Sequence, residues 1–180
     1  MVYVFLANGF EEIEALSVVD ILRRAEIEAK TVGVDGKEIT GAHGITVKAD
    51  ITVEDVDKND IDAVVLPGGM PGAVNLKNSA EVEQLLLLCV GSGKVTAAIC
   101  AAPLVLGNLG LLENKTATCY PGFEEELKGA KILRQNVCVD GNIITASGPA
   151  AANEFAFALV DKLKNSTISA KIRKGMLFEV

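Results

Sequence analysis

Apolar residues along this chain follow two rhythms. Short, nearly continuous runs rich in Val, Ile and Ala recur at Val2–Ala7, Ala29–Val34, Ala63–Leu66, Lys94–Ile99 and Asn142–Ala146. Between them lie longer stretches with apolar residues at three- and four-residue steps, at Glu11–Ala25, Ser79–Val90, Ala101–Leu109 and Ala150–Leu163. The first rhythm belongs to strands covered on both faces, the second to amphipathic helices. Their alternation predicts an α/β fold, a three-layer sandwich around a doubly wound, mostly parallel sheet of the flavodoxin-like kind. Asp35-Gly36 and Asp140-Gly141 each predict a hairpin turn that adds an antiparallel piece at a sheet edge. With 180 residues and no internal repeat, the chain reads as one domain over 1–180.

Ligands in doubly wound sheets bind beyond the carboxyl ends of the strands. That rule selects three segments, which are expected to meet: Asn8-Gly9-Phe10-Glu11, Pro67-Gly68-Gly69-Met70-Pro71-Gly72, and Cys100. Cys100 follows the buried run Lys94–Ile99, and Pro103 fits the first turn of a helix, so the thiol stands on a strand-to-helix nucleophile elbow. Ala98, Ala101 and Ala102 leave it open to a substrate, and the helix N-terminus favours its thiolate. Gly68 and Gly69 permit a tight turn with bare N–H groups that would hold an oxyanion. Their spacing matches neither a phosphate loop nor a dinucleotide fingerprint.

Glu11, Glu12 and Glu14 open the first helix. Acidic residues suit a helix N-terminus in any case. Glu14 shares a row with Val18, Ile21 and Ala25, where a carboxylate would be desolvated and its pKa raised. Glu12 shares a row with Leu16, Val19 and Arg23, and Glu11 lies beside Ala15, Val18 and Leu22, so periodicity does not separate Glu11 from Glu14. An ionised glutamate beside Cys100 would repel the thiolate, whereas a protonated one would donate to it, so the two must titrate as a pair.

Composition narrows the partners. Aromatics are 4% of the residues, tryptophan is absent and the formal net charge is -7, a balance unlike that of nucleic-acid-binding modules. Lys162, Lys164, Lys171, Arg173 and Lys174 form a positive cluster that reads as a solvated face. The start of the chain reads as a strand rather than a signal peptide, and no apolar run reaches membrane-spanning length. Cys89, Cys100, Cys119 and Cys138 lack metal-ligand spacing and His43 is the one histidine, so neither a metal nor a cofactor is expected. Reduced thiols in the cytoplasm follow. Cys119 is a candidate resolving thiol or a strand-end cysteine without a role, Cys89 and Cys138 read as core, and His43 reads as exposed in a Gly-flanked turn. Arg23 and Arg24 can pair with Asp20 along the helix.

Several segments together resemble the ThiJ/PfpI superfamily, in the branch of the parkinsonism-associated protein deglycase: Glu11-Glu12-Ile13-Glu14, Val19-Asp20-Ile21-Leu22-Arg23-Arg24, Val64–Gly69, Ala98–Pro103, Ser147-Gly148-Pro149 and Glu154-Phe155-Ala156. The resemblance implies Cys100 as nucleophile, Glu14 as its acidic partner, oxyanion donors around Gly69 and Ala101, and a homodimer with the Arg23-Arg24 region near the contact. It further implies a cofactor-independent enzyme acting on a small carbonyl substrate such as methylglyoxal, or a redox sensor or chaperone using the same cysteine. Three departures stand out. Ala101 replaces the histidine of the peptidase branch, no distal His-x-Glu exists for an amidotransferase, and Tyr120 stands where the deglycase branch often has histidine. A histidine-dependent acyl-transfer triad is therefore not expected.

Overall fold

The computed structural model describes residues 1–178. In chain order the elements are β1 (Val2–Leu6), α1 (Glu12–Arg24), β2 (Ala29–Gly33), β3 (Glu38–Thr40), β4 (Thr46–Lys48), β5 (Ile51–Thr52), β6 (Ala63–Leu66), α2 (Gly72–Lys77), α3 (Ala80–Gly91) and β7 (Val95–Ile99). They continue with α4 (Pro103–Asn108), β8 (Thr116–Ala117), β9 (Lys131–Ile132), β10 (Val137–Asp140), β11 (Ile143–Ala146), α5 (Ala152–Leu163) and α6 (Ser166–Gly175). Seven strands form one sheet in the order β10-β11-β7-β6-β1-β2-β5. Every pair is parallel except β10 with β11. The order of the five central strands is that of a flavodoxin-like sheet.

Side chains alternate across the strands, so one strand feeds two cores. Val2, Val4 and Leu6 of β1 pack with Val18, Ile21 and Leu22 of α1 and Phe155 and Leu159 of α5. Tyr3 and Phe5 turn to the other face, toward Leu76, Leu85, Leu86 and Leu106 of α2, α3 and α4. Each fully buried Leu, Ile or Phe contributes about 1.5–3 kcal/mol of hydrophobic stabilisation. Ser79 caps α3 by accepting from Val82 N–H at 3.3 Å, and Asn165 caps α6 by accepting from Ile168 N–H at 3.0 Å.

The chain leaves β1 toward β2 on one side and later returns to β6 on the other. The switch point therefore lies between β1 and β6, and the segments after β1, β6 and β7 converge at the carboxyl ends of those strands.

Four expectations are corrected. Asp35-Gly36 does not close a hairpin, because β2 pairs in parallel with β5; the antiparallel pair is β3 with β4, joined across the turn that holds His43. Asp140-Gly141 does close the hairpin of β10 and β11. Two short helices, α2 and α6, occur where none was expected, and the helix after Cys100 has only six residues. Arg24 pairs with Asp20 at 2.7 Å, but Arg23 reaches Asp50 at 2.7 Å and the carbonyl of Ala29. Within the basic cluster, the Arg173 guanidinium stacks 4.1 Å from the centre of the Phe157 ring.

Candidate functional site

The sharp turn after β7 puts Cys100 at φ +63°, the left-handed region that non-glycine residues avoid at a cost on the order of 1–3 kcal/mol. Two hydrogen bonds brace it there. Cys100 N–H donates to the Ala146 carbonyl at 2.9 Å, and the Cys100 carbonyl accepts from Tyr120 N–H at 2.8 Å. The residue is 9% exposed.

The two glycines after β6 are required for separate reasons. A Cβ on Gly68 would stand 2.7 Å from the Cys100 Cβ and 2.8 Å from Glu14 Oε2. Gly69 adopts φ +86°, and a Cβ there would overlap the backbone of Gly9, Phe10 and Glu11. Bare backbone thus lies directly against the thiol. The N–H groups of Ala101 and Gly69 both act on the sulfur and favour its thiolate. These two donors, more than the dipole of the six-residue α4, supply the local positive potential.

Glu14 is fully buried on the row Val18, Ile21 and Ala25. Its Oε2 accepts the Gly68 N–H at 2.7 Å, while Oε1 is buried without a nitrogen or oxygen partner. The carboxyl lies beside the Cys100 thiol, close enough for each group to shift the titration of the other. Burial pushes it up to about 7, against the opposing effects of Gly68 and Cys100, and Glu11 adds a further raising charge. The Cys100 thiol is pushed up to about 12, by burial first and then by ionised Glu14. The two groups form one two-proton system: the first proton leaves near 7, and the second is held until about 12 because it would leave two adjacent negative charges.

Cys100, Glu14, Gly69 and Ala101 are therefore brought together. Cys119 is buried, and its thiol is pushed up to about 11 by burial and by the charge of Glu124. Cys89 donates to the Val95 carbonyl at 3.1 Å and Cys138 lies 3.4 Å from the Thr116 hydroxyl, both within the fold. Tyr120 is half exposed, and its ring rests against the backbone of Gly148. A cavity of about 560 Å³ opens at the opposite end of the sheet, beside Glu28, Asp62 and Lys94, away from Cys100.

Sequence reasoning missed Glu12. Its carboxylate is buried and accepts from His43 N–H at 2.9 Å, while its other oxygen lies 2.9 Å from His43 Nδ1. A Cβ on Gly41 would overlap this carboxylate, so the glycine admits it. His43 is exposed as expected, but it is tied to Glu12 rather than free. The only local signal was the glycine pair around His43.

The fold recurs in known proteins. The chain is 38% identical over 162 residues to protein DJ-1 homolog A of Arabidopsis thaliana, covering 88% of this chain and 41% of that protein, so it spans less than half of that relative's length. It is 32% identical to the glutathione-independent glyoxalase DJR-1.2 of Caenorhabditis elegans, over 86% of this chain and 83% of that one. A deglycase of Pyrococcus horikoshii is 34% identical, over 80% and 87%. The structure of an oxidized DJ-1 from Toxoplasma gondii superposes with a TM-score of 0.93 at 38% identity, over 98% of this chain and 97% of that one. The DJ-1/PfpI family model matches residues 1–162, from β1 into the last turn of α5. With the family model matching that span and the fold shared along nearly the whole chain, this chain belongs to the DJ-1/PfpI family.

Proposed function

We propose that this protein is a cofactor-independent cysteine enzyme of the glyoxalase or deglycase type, with Cys100 as nucleophile. Its substrate is methylglyoxal, or an early methylglyoxal adduct on an amino or thiol group, and its product a 2-hydroxy acid. The observation that carries this reading is the buried Glu14 carboxyl, with one oxygen unpartnered, beside the thiol. The names of the Caenorhabditis and Pyrococcus relatives support the reaction class.

The Cys100 sulfur adds to the aldehyde carbon. The carbonyl π pair moves to oxygen, which lies against the N–H groups of Gly69 and Ala101 and takes the proton held by Glu14, giving a hemithioacetal. Glu14, now ionised, removes the C1 proton and returns it to C2 while the C1 hydroxyl proton passes to the C2 oxygen, so that C1 is oxidised to a thioester carbonyl and C2 reduced to a carbinol within one molecule. The resulting thioester is cleaved by water to lactate, which restores the thiol. No external oxidant or cofactor enters this balance. With an adduct, the carbinol oxygen first re-forms the carbonyl as the C–N or C–S bond breaks, the amine or thiol leaves with the hydroxyl proton, and the same sequence follows on the freed aldehyde. Lactate formation from methylglyoxal should be measurable in the parent and abolished in Cys100→Ser and Glu14→Gln. Undiminished lactate in either variant would refute the assignment.

A second reading uses the same pair: a redox sensor, or a chaperone responding to oxidation, with little turnover. It draws support from the oxidized state of the Toxoplasma neighbour and from the Glu14 carboxyl, which can donate to a sulfinate. Two successive oxygen transfers from hydrogen peroxide would make that sulfinate, each leaving water. Comparing methylglyoxal turnover with Cys100 oxidation at low peroxide separates the readings. In either case we place the protein in the cytoplasm as a homodimer. Ile13 and Leu16, exposed on α1 near the Asp20–Arg24 pair, suit such a contact.

A further inference from the structure

One turn before Glu14, three potential metal ligands converge. His43 Nδ1 lies 2.9 Å from Glu12 Oε2 and 3.6 Å from Glu11 Oε1. One donor atom from each residue lies within 4.8 Å of the other two. Donors bound at about 2.1 Å to one ion stand roughly 3.0–3.4 Å apart at octahedral to tetrahedral angles, so the His43 nitrogen is already near ligand spacing from both carboxylates.

Charge makes an independent case. The Glu12 side chain is only 8% exposed. Among the described residues, neither Glu11 nor Glu12 pairs with a lysine or arginine; His43 is the basic group both of them face. Two carboxylates against one imidazole leave a negative charge uncompensated even when the ring is protonated. Glu11 occupies the N-cap position of α1 without spending its side chain on the helix.

The ligands are also held from behind, as metal ligands are. Glu12 Oε1 accepts from His43 N–H at 2.9 Å and Ile45 N–H at 3.4 Å, which turns Oε2 toward the imidazole. The lack of a Cβ at Gly41 makes room for this seat.

We propose that Glu11 Oε1, Glu12 Oε2 and His43 Nδ1 form a binding site for a divalent first-row transition-metal ion of the zinc type. One imidazole nitrogen with two carboxylate oxygens suits zinc, cobalt or manganese better than calcium or magnesium. The ring binds through the Nδ1 lone pair with its proton on Nε2, and water completes the shell. This site does not depend on the carbonyl chemistry assigned to Cys100.

Zinc chloride titrated calorimetrically into the full chain tests it, in a Cys100→Ser background because a thiolate is itself a zinc ligand. One ion per chain is expected. His43→Gln in that background, at a side chain two-thirds exposed, should weaken binding by at least tenfold. Glu11→Gln should do likewise and serves if the first variant misfolds by circular dichroism. No zinc uptake by the Cys100→Ser protein, or equal affinity in the folded variants, would overturn the site.

Discussion

Glu14 should leave a signature in the pH dependence of stability. Its carboxyl is pushed from an ordinary 4.5 up to about 7 in the folded chain, chiefly by burial. Between those values the unfolded chain releases a proton that the folded chain retains. The native state therefore binds more protons, and stability falls as pH rises through this window. One pH unit corresponds to about 1.4 kcal/mol, so the loss between pH 4.5 and 7 is about 3 kcal/mol, with no further loss from this group above it. Glu14→Gln lacks the titration and should show no such slope, whatever its absolute stability. Asp50, Asp62 and Asp140 are shifted down, so their stabilisation fades only as pH falls below the ordinary carboxylate range. His43, shifted up by Glu12 and Glu11, is common to both proteins and cancels in the difference. Urea midpoints with constant m-values, taken at half-unit pH steps, supply the free energies. Parallel curves for parent and variant would show that Glu14 is not a buried titrating group, and the proton-shuttle role would fall with it.

Limiting iodoacetamide at neutral pH should label Cys100 before the other three thiols; preferential labelling of Cys89 or Cys138, read by mass spectrometry, would contradict the elbow reading. Glu14 and Cys100 should titrate as one coupled pair, so the pH dependence of thiolate absorbance should change when Glu14 is replaced. Glu14→Gln keeps a hydrogen-bond donor and should hold the thiol below its position in Glu14→Leu, where burial acts without a partner. Coincident titrations in all three proteins would remove the pair. Light scattering should give the mass of a dimer at micromolar concentration, and a monomer mass throughout would exclude the homodimer.

The central sheet was legible because β1, β6, β7 and β11 are continuous apolar runs, and such runs have few alternatives to a doubly covered strand. The Glu14 position was half legible: the row Val18, Ile21 and Ala25 faces the core as expected, but separating Glu14 from Glu11 needed the family resemblance. Other features were hidden for physical reasons. α2 begins within a Pro-Gly run that reads as loop, and α6 is held against α5 by contacts such as Arg173 on Phe157. The hairpin of β3 and β4 is too short to show a period. Glu12 is buried by a turn some thirty residues away, and no local pattern encodes a contact of that range.

The first turn of α1 has a geometric consequence of its own. Successive residues on a helix are rotated by about 100°, so the carboxylates at positions 12 and 14 leave the axis about 160° apart, in nearly opposite directions. Glu12 reaches the β3–β4 hairpin, Glu14 reaches Cys100, and the backbone N–H of Glu11 is bonded to the Gly68 carbonyl at 3.0 Å. The angular phase of one helix thus indexes three parts of the molecule at once. Adding or deleting a residue between Glu12 and Glu14 would rotate one carboxylate by about 100° relative to the other, so that both could not reach their seats at once. Helix ends ordinarily fray and tolerate slippage; this one is fixed like the hub of a dial, because it is read simultaneously by a hairpin, a glycine loop and a thiol.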